Sequence, residues 1–385
     1  MNPFIVDIPQ AELDDLRDRI ARTRWGGDFG GDSWAYGTNG VYLRELADYW
    51  LERYDWRRTE AQINAIPAYK TEVNGLSIHF QLVRGKGPDP MPLILTHGWP
   101  WTFWDYRKVI GPLTDPAAHG GDPAHAFDVI VPSLPGYGFS APAPQGIAFW
   151  EIADVWAALM TRLGYDRFAA AGADWGSFIT AQLGHKYAER LIGVHFPLCL
   201  PLPALSGGER IDPDLFSADE AGWLEGNVHF GTQEYGYALL QKTKPRTHSF
   251  SANDSPVGLL AWIVEKRRTW SDSHGDVESV FTKVELLDTA MIYWLTQSFG
   301  TAARLYYETT NRPWVPSHPR QPVVEAPVGI TVFPAEVMRP PRRWAESYYN
   351  LKSWQVMDRG GHFAPMEQPE ALIADLRAFF WDKCR

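Results

Sequence analysis

Phe168-Ala169-Ala170-Ala171-Gly172-Ala173-Asp174-Trp175-Gly176 decides the fold. A short apolar run of strand length ends in Gly-x-Asp-x-Gly, where a helix begins. The glycines permit a sharp strand-to-helix turn that lifts the central side chain above a sheet. The usual residue at the tip of such a turn is Ser; here it is Asp. A carboxylate is already ionised at neutral pH and needs no base to become a nucleophile. Its attack on a saturated carbon makes an alkyl ester, which water can cleave at the carbonyl. A serine attacking the same carbon would make an ether, a dead end. The Asp at the tip therefore points to displacement at an sp³ carbon. An ordinary Gly-rich turn with a helix-capping Asp is the competing reading of the five residues alone.

Working outward, short apolar runs alternate with helical patterns. Glu72 to Arg84 alternates around Asn74-Gly75, a strong hairpin signal. Leu93-Ile94-Leu95 precedes His97-Gly98-Trp99-Pro100, and Val129-Ile130-Val131 precedes Pro135-Gly136-Tyr137-Gly138. A helix pattern runs through Phe149, Ile152, Trp156, Leu159 and Leu163, and Leu191 to Phe196 is the next strand-like run. This alternation predicts an α/β fold with a mainly parallel sheet flanked by helices. Before it, Leu13, Leu16 and Ile20, then Leu43, Leu46, Trp50 and Tyr54, carry helical spacing around a Gly-rich loop over Gly26 to Gly40. After Phe196 the alternation stops until Val328 to Phe333 and Trp354 to Met357, and a last helix spans Pro369 to Trp381. Ser255-Pro256 starts one helix of the interruption as cap and first residue; Val284, Leu287, Ile292 and Leu295 mark another. The expected division is a helical N-terminal arm (1–70), a first part of the α/β core (71–197), a helical cap or lid (198–325) and a second part of the core (326–385).

Composition narrows the function classes. The 385 residues are 45% apolar, so a sizeable core is available. Lys plus Arg number 36 against 46 Asp plus Glu, a net charge of −10. With no basic block, nucleic acid and anionic membranes are poor partners. Two cysteines, Cys199 and Cys384, exclude a disulfide scaffold and a Cys-based zinc site. Residues 1–15 carry no signal-peptide pattern and no apolar run reaches transmembrane length, so a soluble protein of a reducing compartment is expected.

Chain order suggests partners for Asp174. His362, in Gly360-Gly361-His362, follows the last strand signal, where a base would meet a nucleophile at the carboxyl edge of the sheet. Glu336, in Phe333-Pro334-Ala335-Glu336, lies just past the preceding strand, where an acid orienting that base belongs. Glu325 and Asp358 are its rivals, and a solvated loop carboxylate fits the spacing as well. His97 opens a turn and reads as a loop brace. The backbone N–H of Trp99 in that turn and of Trp175 after Asp174 are candidate oxyanion donors. Tyr235, Tyr237, Tyr306 and Tyr307 lie in the helical interruption; one facing Asp174 could protonate a leaving oxygen, whereas aromatic packing is the default for any single tyrosine. Neither a dinucleotide fingerprint, a phosphate-binding loop nor His-Glu-x-x-His occurs. No cofactor or metal site is expected.

With the Asp-tipped turn, His97-Gly98-Trp99-Pro100 and Gly360-Gly361-His362-Phe363 in view, the chain resembles an epoxide hydrolase of the α/β-hydrolase superfamily. More narrowly it is similar to the microsomal-type branch, which begins with a helical segment like residues 1–70. Gln241-Lys242-Thr243-Lys244-Pro245 and Asn253-Asp254-Ser255-Pro256-Val257-Gly258-Leu259 match as well. The resemblance implies Asp174 as nucleophile, His362 as water-activating base, Glu336 as its orienting acid, and Tyr237 and Tyr306 as lid tyrosines, with Tyr307 the rival of Tyr306. It implies a small epoxide and water as substrates, a vicinal diol as product and no cofactor. Microsomal relatives carry a membrane anchor ahead of the helical segment, which this chain lacks, so a soluble, cytoplasmic, bacterial-type member is expected. A homodimer is left open, as are detoxification and secondary metabolism. A dehalogenase sharing the Asp-tipped turn, and a non-catalytic binding protein of the same fold, are the competing functions.

Overall fold

Asn74 and Gly75 both adopt positive φ, 51° and 78°, the conformation a two-residue hairpin turn demands and the pair supplies cheaply. They join β2 (Ala68–Val73) to β3 (Leu76–Val83), which pair antiparallel. A two-residue β1 (Asn2–Pro3) adds to the outside of β2. The computed structural model describes residues 1–27, 33–208 and 210–384, so part of the Gly26 to Gly40 loop, residues 28–32, lies outside the described residues.

The sheet continues with β4 (Met91–Thr96), β5 (Phe127–Pro132), β6 (Phe168–Gly172), β7 (Leu191–Phe196), β8 (Val324–Val332) and β9 (Tyr349–Val356). The order is β1-β2-β3-β5-β4-β6-β7-β8-β9. β3 joins β5 antiparallel, and every pair from β5 to β9 is parallel. All residues of β5 and of β6 are buried, as expected of strands covered on both faces. The chain leaves β4 toward β5 and returns to its other side as β6. The carboxyl edge at such a reversal is where doubly wound sheets place ligands.

Between β7 and β8 the described residues form helices and turns, including Ala221–His229, Gly236–Thr243, Pro245–Asp254, Pro256–Thr269, Lys283–Leu295 and Phe299–Thr310. Ser255 caps the fourth of these, its Oγ accepting the Gly258 N–H at 3.0 Å, with Pro256 as first residue. Arg267 pins this layer to the core through a fully buried ion pair with Asp105, 2.7 Å, and a bond to the Pro100 carbonyl at 3.1 Å. The N-terminal helices are Gln10–Ala21, Gly40–Glu52 and Trp56–Asn64, and Asp288 ties in the last of them together with the turn before it. Its carboxylate accepts the Tyr54 hydroxyl at 2.8 Å, the Thr59 hydroxyl at 2.7 Å and the Trp104 indole at 3.3 Å. No helix among the described residues is long and apolar enough to cross a membrane.

Several elements differ from the sequence expectation. β8 begins at Val324, four residues earlier than its apolar run suggests; Pro327 and register shifts on both sides of it break the pattern. β9 begins at Tyr349 because this edge strand is only partly buried and alternates with Asn350, Lys352 and Ser353. Trp56–Asn64 and Phe299–Thr310 are helices beyond those expected from the sequence.

Candidate active site

β4 and β6 end level with each other, Thr96 opposite Gly172. The turns after them therefore meet. Asp174 sits at the tip of the second with φ 55° and ψ −123°, a conformation few non-glycine residues adopt and one that functional sites retain. It precedes the helix Trp175–Lys186, yet its side chain makes no capping bond, so the capping reading does not hold. Instead Oδ1 accepts the Trp99 backbone N–H at 2.7 Å. Gly98 makes this approach possible: a Cβ there would lie 2.1 Å from Asp174 Oδ1 and 2.3 Å from its Cβ. Gly176 does the same underneath, where a Cβ would lie 1.9 Å from the Thr96 carbonyl oxygen. The Trp175 N–H heads its helix, where the first amides have no intrahelical partner.

His97 braces the neighbouring turn. Its ring nitrogens lie 3.0 Å from the Gly98 carbonyl and 3.1 Å from the Leu134 N–H, which donates to Nε2. Burial lowers its pKa to about 4, so the ring is neutral, with Nδ1–H donating to Gly98.

β8 and β9 are also parallel neighbours, and their exits bring Glu336 and His362 together. His362 Nδ1 lies 2.5 Å from Glu336 Oε1, which also accepts the Val337 N–H at 2.9 Å. Ala335 N–H donates to the Gly360 carbonyl at 3.0 Å, holding the two loops in register. On the opposite side His362 Nε2 lies 3.4 Å from Asp174 Oδ2. The rivals of Glu336 lie elsewhere: Glu325 is bound by Arg320 at 2.6 Å, and Asp358 is exposed.

The rings of Trp101, Trp270 and Phe363 stand edge-on to the His362 imidazole, centroids 5.2 to 5.7 Å away. Such burial alone would lower the His362 pKa. The Glu336 charge, the nearby Asp174 carboxylate and the hydrogen bond between Nδ1 and Glu336 outweigh it and push the imidazolium up to about 10.

Above Asp174 stand two tyrosines from different helices, Tyr237 in Gly236–Thr243 and Tyr306 in Phe299–Thr310. Tyr237 lies flat on Trp99, centroids 4.9 Å apart at 7°, and Tyr306 stands edge-on to Trp175 at 4.7 Å. Their own rings are 5.8 Å apart. Burial first, then neighbouring charge including that of Asp174, raises both phenols well above their ordinary value. Tyr307 faces outward, 42% exposed against 7% for Tyr306, and Tyr235 is half-buried outside this pair. A cavity of about 540 Å³ opens beside the site and meets it at Phe230, Trp270 and Glu336. Among the described residues no group of three or more His, Cys, Asp or Glu side chains could hold a metal ion.

Sequence reasoning missed Trp270. Its ring packs on Tyr237 at 4.9 Å and its carbonyl accepts the His362 N–H at 2.8 Å. It also missed Asp272 and Glu367, which grip the loop around His362. Only Glu367, five residues past His362, lay near a recognised motif.

Comparisons with known proteins give the family. Residues 1–106 match the model of the epoxide hydrolase N terminus, and residues 91–196 match the α/β hydrolase fold. A chain from Stigmatella aurantiaca (strain DW4/3-1) is 42% identical over 99% of this chain and 84% of its own length. Epoxide hydrolase 1 of Oryctolagus cuniculus is 35% identical over 98% of this chain and 88% of its own. The solved structure of Aspergillus niger epoxide hydrolase superimposes with a TM-score of 0.86 at 31% identity, covering 99% of this chain and 96% of that one. An Asp-tipped turn under two buried tyrosines, on a mainly parallel nine-stranded sheet and in a chain alike over its whole length, leads to one conclusion: the protein belongs to the epoxide hydrolases of the α/β-hydrolase fold.

Proposed function

We propose that the protein opens a small-molecule epoxide to a vicinal diol in two steps through an ester on Asp174, without a cofactor. The observation that carries the reading is a carboxylate, rather than a hydroxyl, on the strained turn between His362 and the paired phenols of Tyr237 and Tyr306. In the first step Asp174 attacks an oxirane carbon and the C–O bond breaks. The developing alkoxide takes a proton from the tyrosine pair. Raised phenols hold their protons while Asp174 is charged; alkylation removes that charge and strengthens them as acids when the alkoxide forms.

The same loss of charge acts on His362. In the resting protein the imidazolium lies between two carboxylates. Once Asp174 is an ester, burial regains weight against Glu336 alone, and the imidazolium becomes a readier acid. The proton it sheds restores the phenol, leaving a neutral imidazole to take a proton from water. The hydroxide attacks the ester carbonyl, the Trp99 and Trp175 N–H groups hold the oxyanion, and its collapse breaks the bond between the carbonyl carbon and the diol oxygen, leaving Asp174 as the carboxylic acid. His362 returns its proton to the departing diol alkoxide, and the proton left on the Asp174 carboxyl restores the imidazolium. Residues 198–325 act as the cap that carries the tyrosines over the nucleophile. Two free thiols, Cys199 and Cys384, fit a reducing cytoplasm.

The test is a panel of styrene oxide and related epoxides, with diols resolved by chiral chromatography, beside a chloroalkane assayed for halide release. Diol formation without halide is expected. Halide release with no diol would replace the reading with dehalogenation.

A further inference from the structure

Three hydrogen bonds stitch the loop carrying His362 and the Glu367 that follows it to the segment after the cap helix Pro256–Thr269, and a fourth holds Glu367 to Phe363. The His362 N–H donates to the Trp270 carbonyl at 2.8 Å. The Gly360 N–H donates to Asp272 Oδ2 at 2.8 Å. The Asp272 N–H donates to Glu367 Oε2 at 2.8 Å, and the Phe363 N–H donates to Glu367 Oε1 at 2.8 Å. Glu367 thus uses both carboxylate oxygens, one on each of the two segments. The two run so close that a Cβ on Gly361 would lie 2.8 Å from the Trp270 carbonyl oxygen.

The geometry assigns Glu367 and Asp272 as positioning residues that fix the backbone on both sides of His362 against the cap, and so set the aim of its imidazole at the ester. Neither carboxylate is placed in contact with the reacting atoms. Glu336 orients the ring from Nδ1, but a hydrogen bond at one ring nitrogen leaves the ring free to travel with its loop. The clamp removes that freedom. It also links the two halves of the reaction, because Trp270, whose carbonyl it holds in place, packs its ring on both Tyr237 and His362. A base displaced by about 1 Å can lose up to roughly a hundredfold in rate. The first step, in which Asp174 attacks and tyrosines donate, does not use the base.

The proposal rests on the two-step reading above. Its test is Glu367→Gln, which keeps the size but offers one acceptor to two N–H donors. Rapid-quench intact-mass spectrometry with an epoxide follows the ester through formation and decay, beside wild type and His362→Gln. The expected result is alkylation within about twofold of wild type and ester hydrolysis slowed by roughly ten- to a hundredfold, so that ester accumulates during turnover. Ester decay at the wild-type rate, or both steps slowed equally, would overturn the clamp. Ester in His362→Gln but none in Glu367→Gln rejects the clamp alone; no ester in either rejects the two-step reading with it. If Glu367→Gln does not fold, Asp272→Ala, which removes the acceptor for Gly360 together with a contact to the exposed His274, is judged by the same criteria.

Discussion

His362 Nε2 and Asp174 Oδ2 stand 3.4 Å apart, too far for a good hydrogen bond and close enough for the imidazolium to feel the charge. An ester oxygen at Oδ2 would keep that spacing, and the gap leaves His362 aimed at the Asp174 carboxyl with no partner to surrender there. On the proposed two-step reading the pair acts in sequence, which separates two variants. Asp174→Asn should form no adduct with an epoxide, slow deamidation apart. His362→Gln should alkylate once and stall. Intact-mass spectrometry reads both, and a folded His362→Gln that never gains the mass of the epoxide would count against sequential chemistry.

Glu336→Gln tests the other side of the ring. The carboxylate at 2.5 Å from Nδ1 holds the imidazole in place and stabilises its cation. Its loss should slow ester hydrolysis far more than ester formation. Stopped-flow tryptophan fluorescence can separate the phases, since Trp175 adjoins the nucleophile. Equal rates in both phases for variant and wild type would remove Glu336 from the mechanism.

The raised pKa of His362 also predicts a pH window for stability. The ordinary value is 6.5 and the folded value about 10. A group raised in the folded state contributes fully below its unfolded pKa and loses that contribution as pH climbs through the folded one. The stability difference between wild type and His362→Gln should therefore be largest below pH 6.5 and shrink toward about pH 10. Thermal unfolding across this range measures it. In Asp174→Asn the His362 imidazole, followed by NMR, should titrate at lower pH than in wild type; an unchanged value would mean that Asp174 does not hold the imidazolium.

Gly98→Ala should separate local geometry from fold. The added methyl would lie 2.1 Å from Asp174 Oδ1 and 2.3 Å from its Cβ, and a Cβ cannot swing aside without its backbone, so the two turns must part. A cost of about 1–3 kcal/mol in stability is expected for such overpacking, with a much larger loss of alkylation rate because the Trp99 N–H moves away from Oδ1. Denaturant unfolding and single-turnover alkylation check the two effects.

The sequence made the parallel sheet and its carboxyl edge legible because both are local. Strand-length apolar runs, Asn74-Gly75 and the Gly-bounded Asp174 each state their geometry within a few residues. Asp174, His362 and Glu336 could be placed by chain order, since strand ends converge once the sheet is assumed. What stayed hidden is tertiary. Nothing near Trp270 shows that it will touch both Tyr237 and His362, and no spacing distinguishes Tyr306 from Tyr307. Only the packing of Phe299–Thr310 on its neighbours turns one inward and leaves the other in solvent. Strand starts at Val324 and Tyr349 were hidden for a different reason: Pro327 and an amphipathic edge break the apolar pattern.

The paired tyrosines decide between oxygen and halide as leaving group. An opening oxirane develops alkoxide charge on a single oxygen, and two buried phenols 5.8 Å apart by ring centroid can reach it together. Each hydrogen bond to a charged acceptor contributes roughly 1.5–3 kcal/mol. Tyr237→Phe or Tyr306→Phe alone should therefore weaken epoxide binding and slow alkylation by about one to two orders of magnitude. Tyr307→Phe, on the exposed side of the same helix, should change neither. The double variant should barely alkylate, whereas in the single variants the ester, once formed, should decay at close to the wild-type rate, because one phenol remains to take the His362 proton and the rest of the second step runs on His362 and water. A leaving halide needs no proton, so a dehalogenase would tolerate both changes. Single-turnover alkylation of the four variants, with ester decay measured in the single ones, gives the answer. A double variant that alkylates at the wild-type rate would remove the acid role and with it the mechanistic reason for an epoxide substrate.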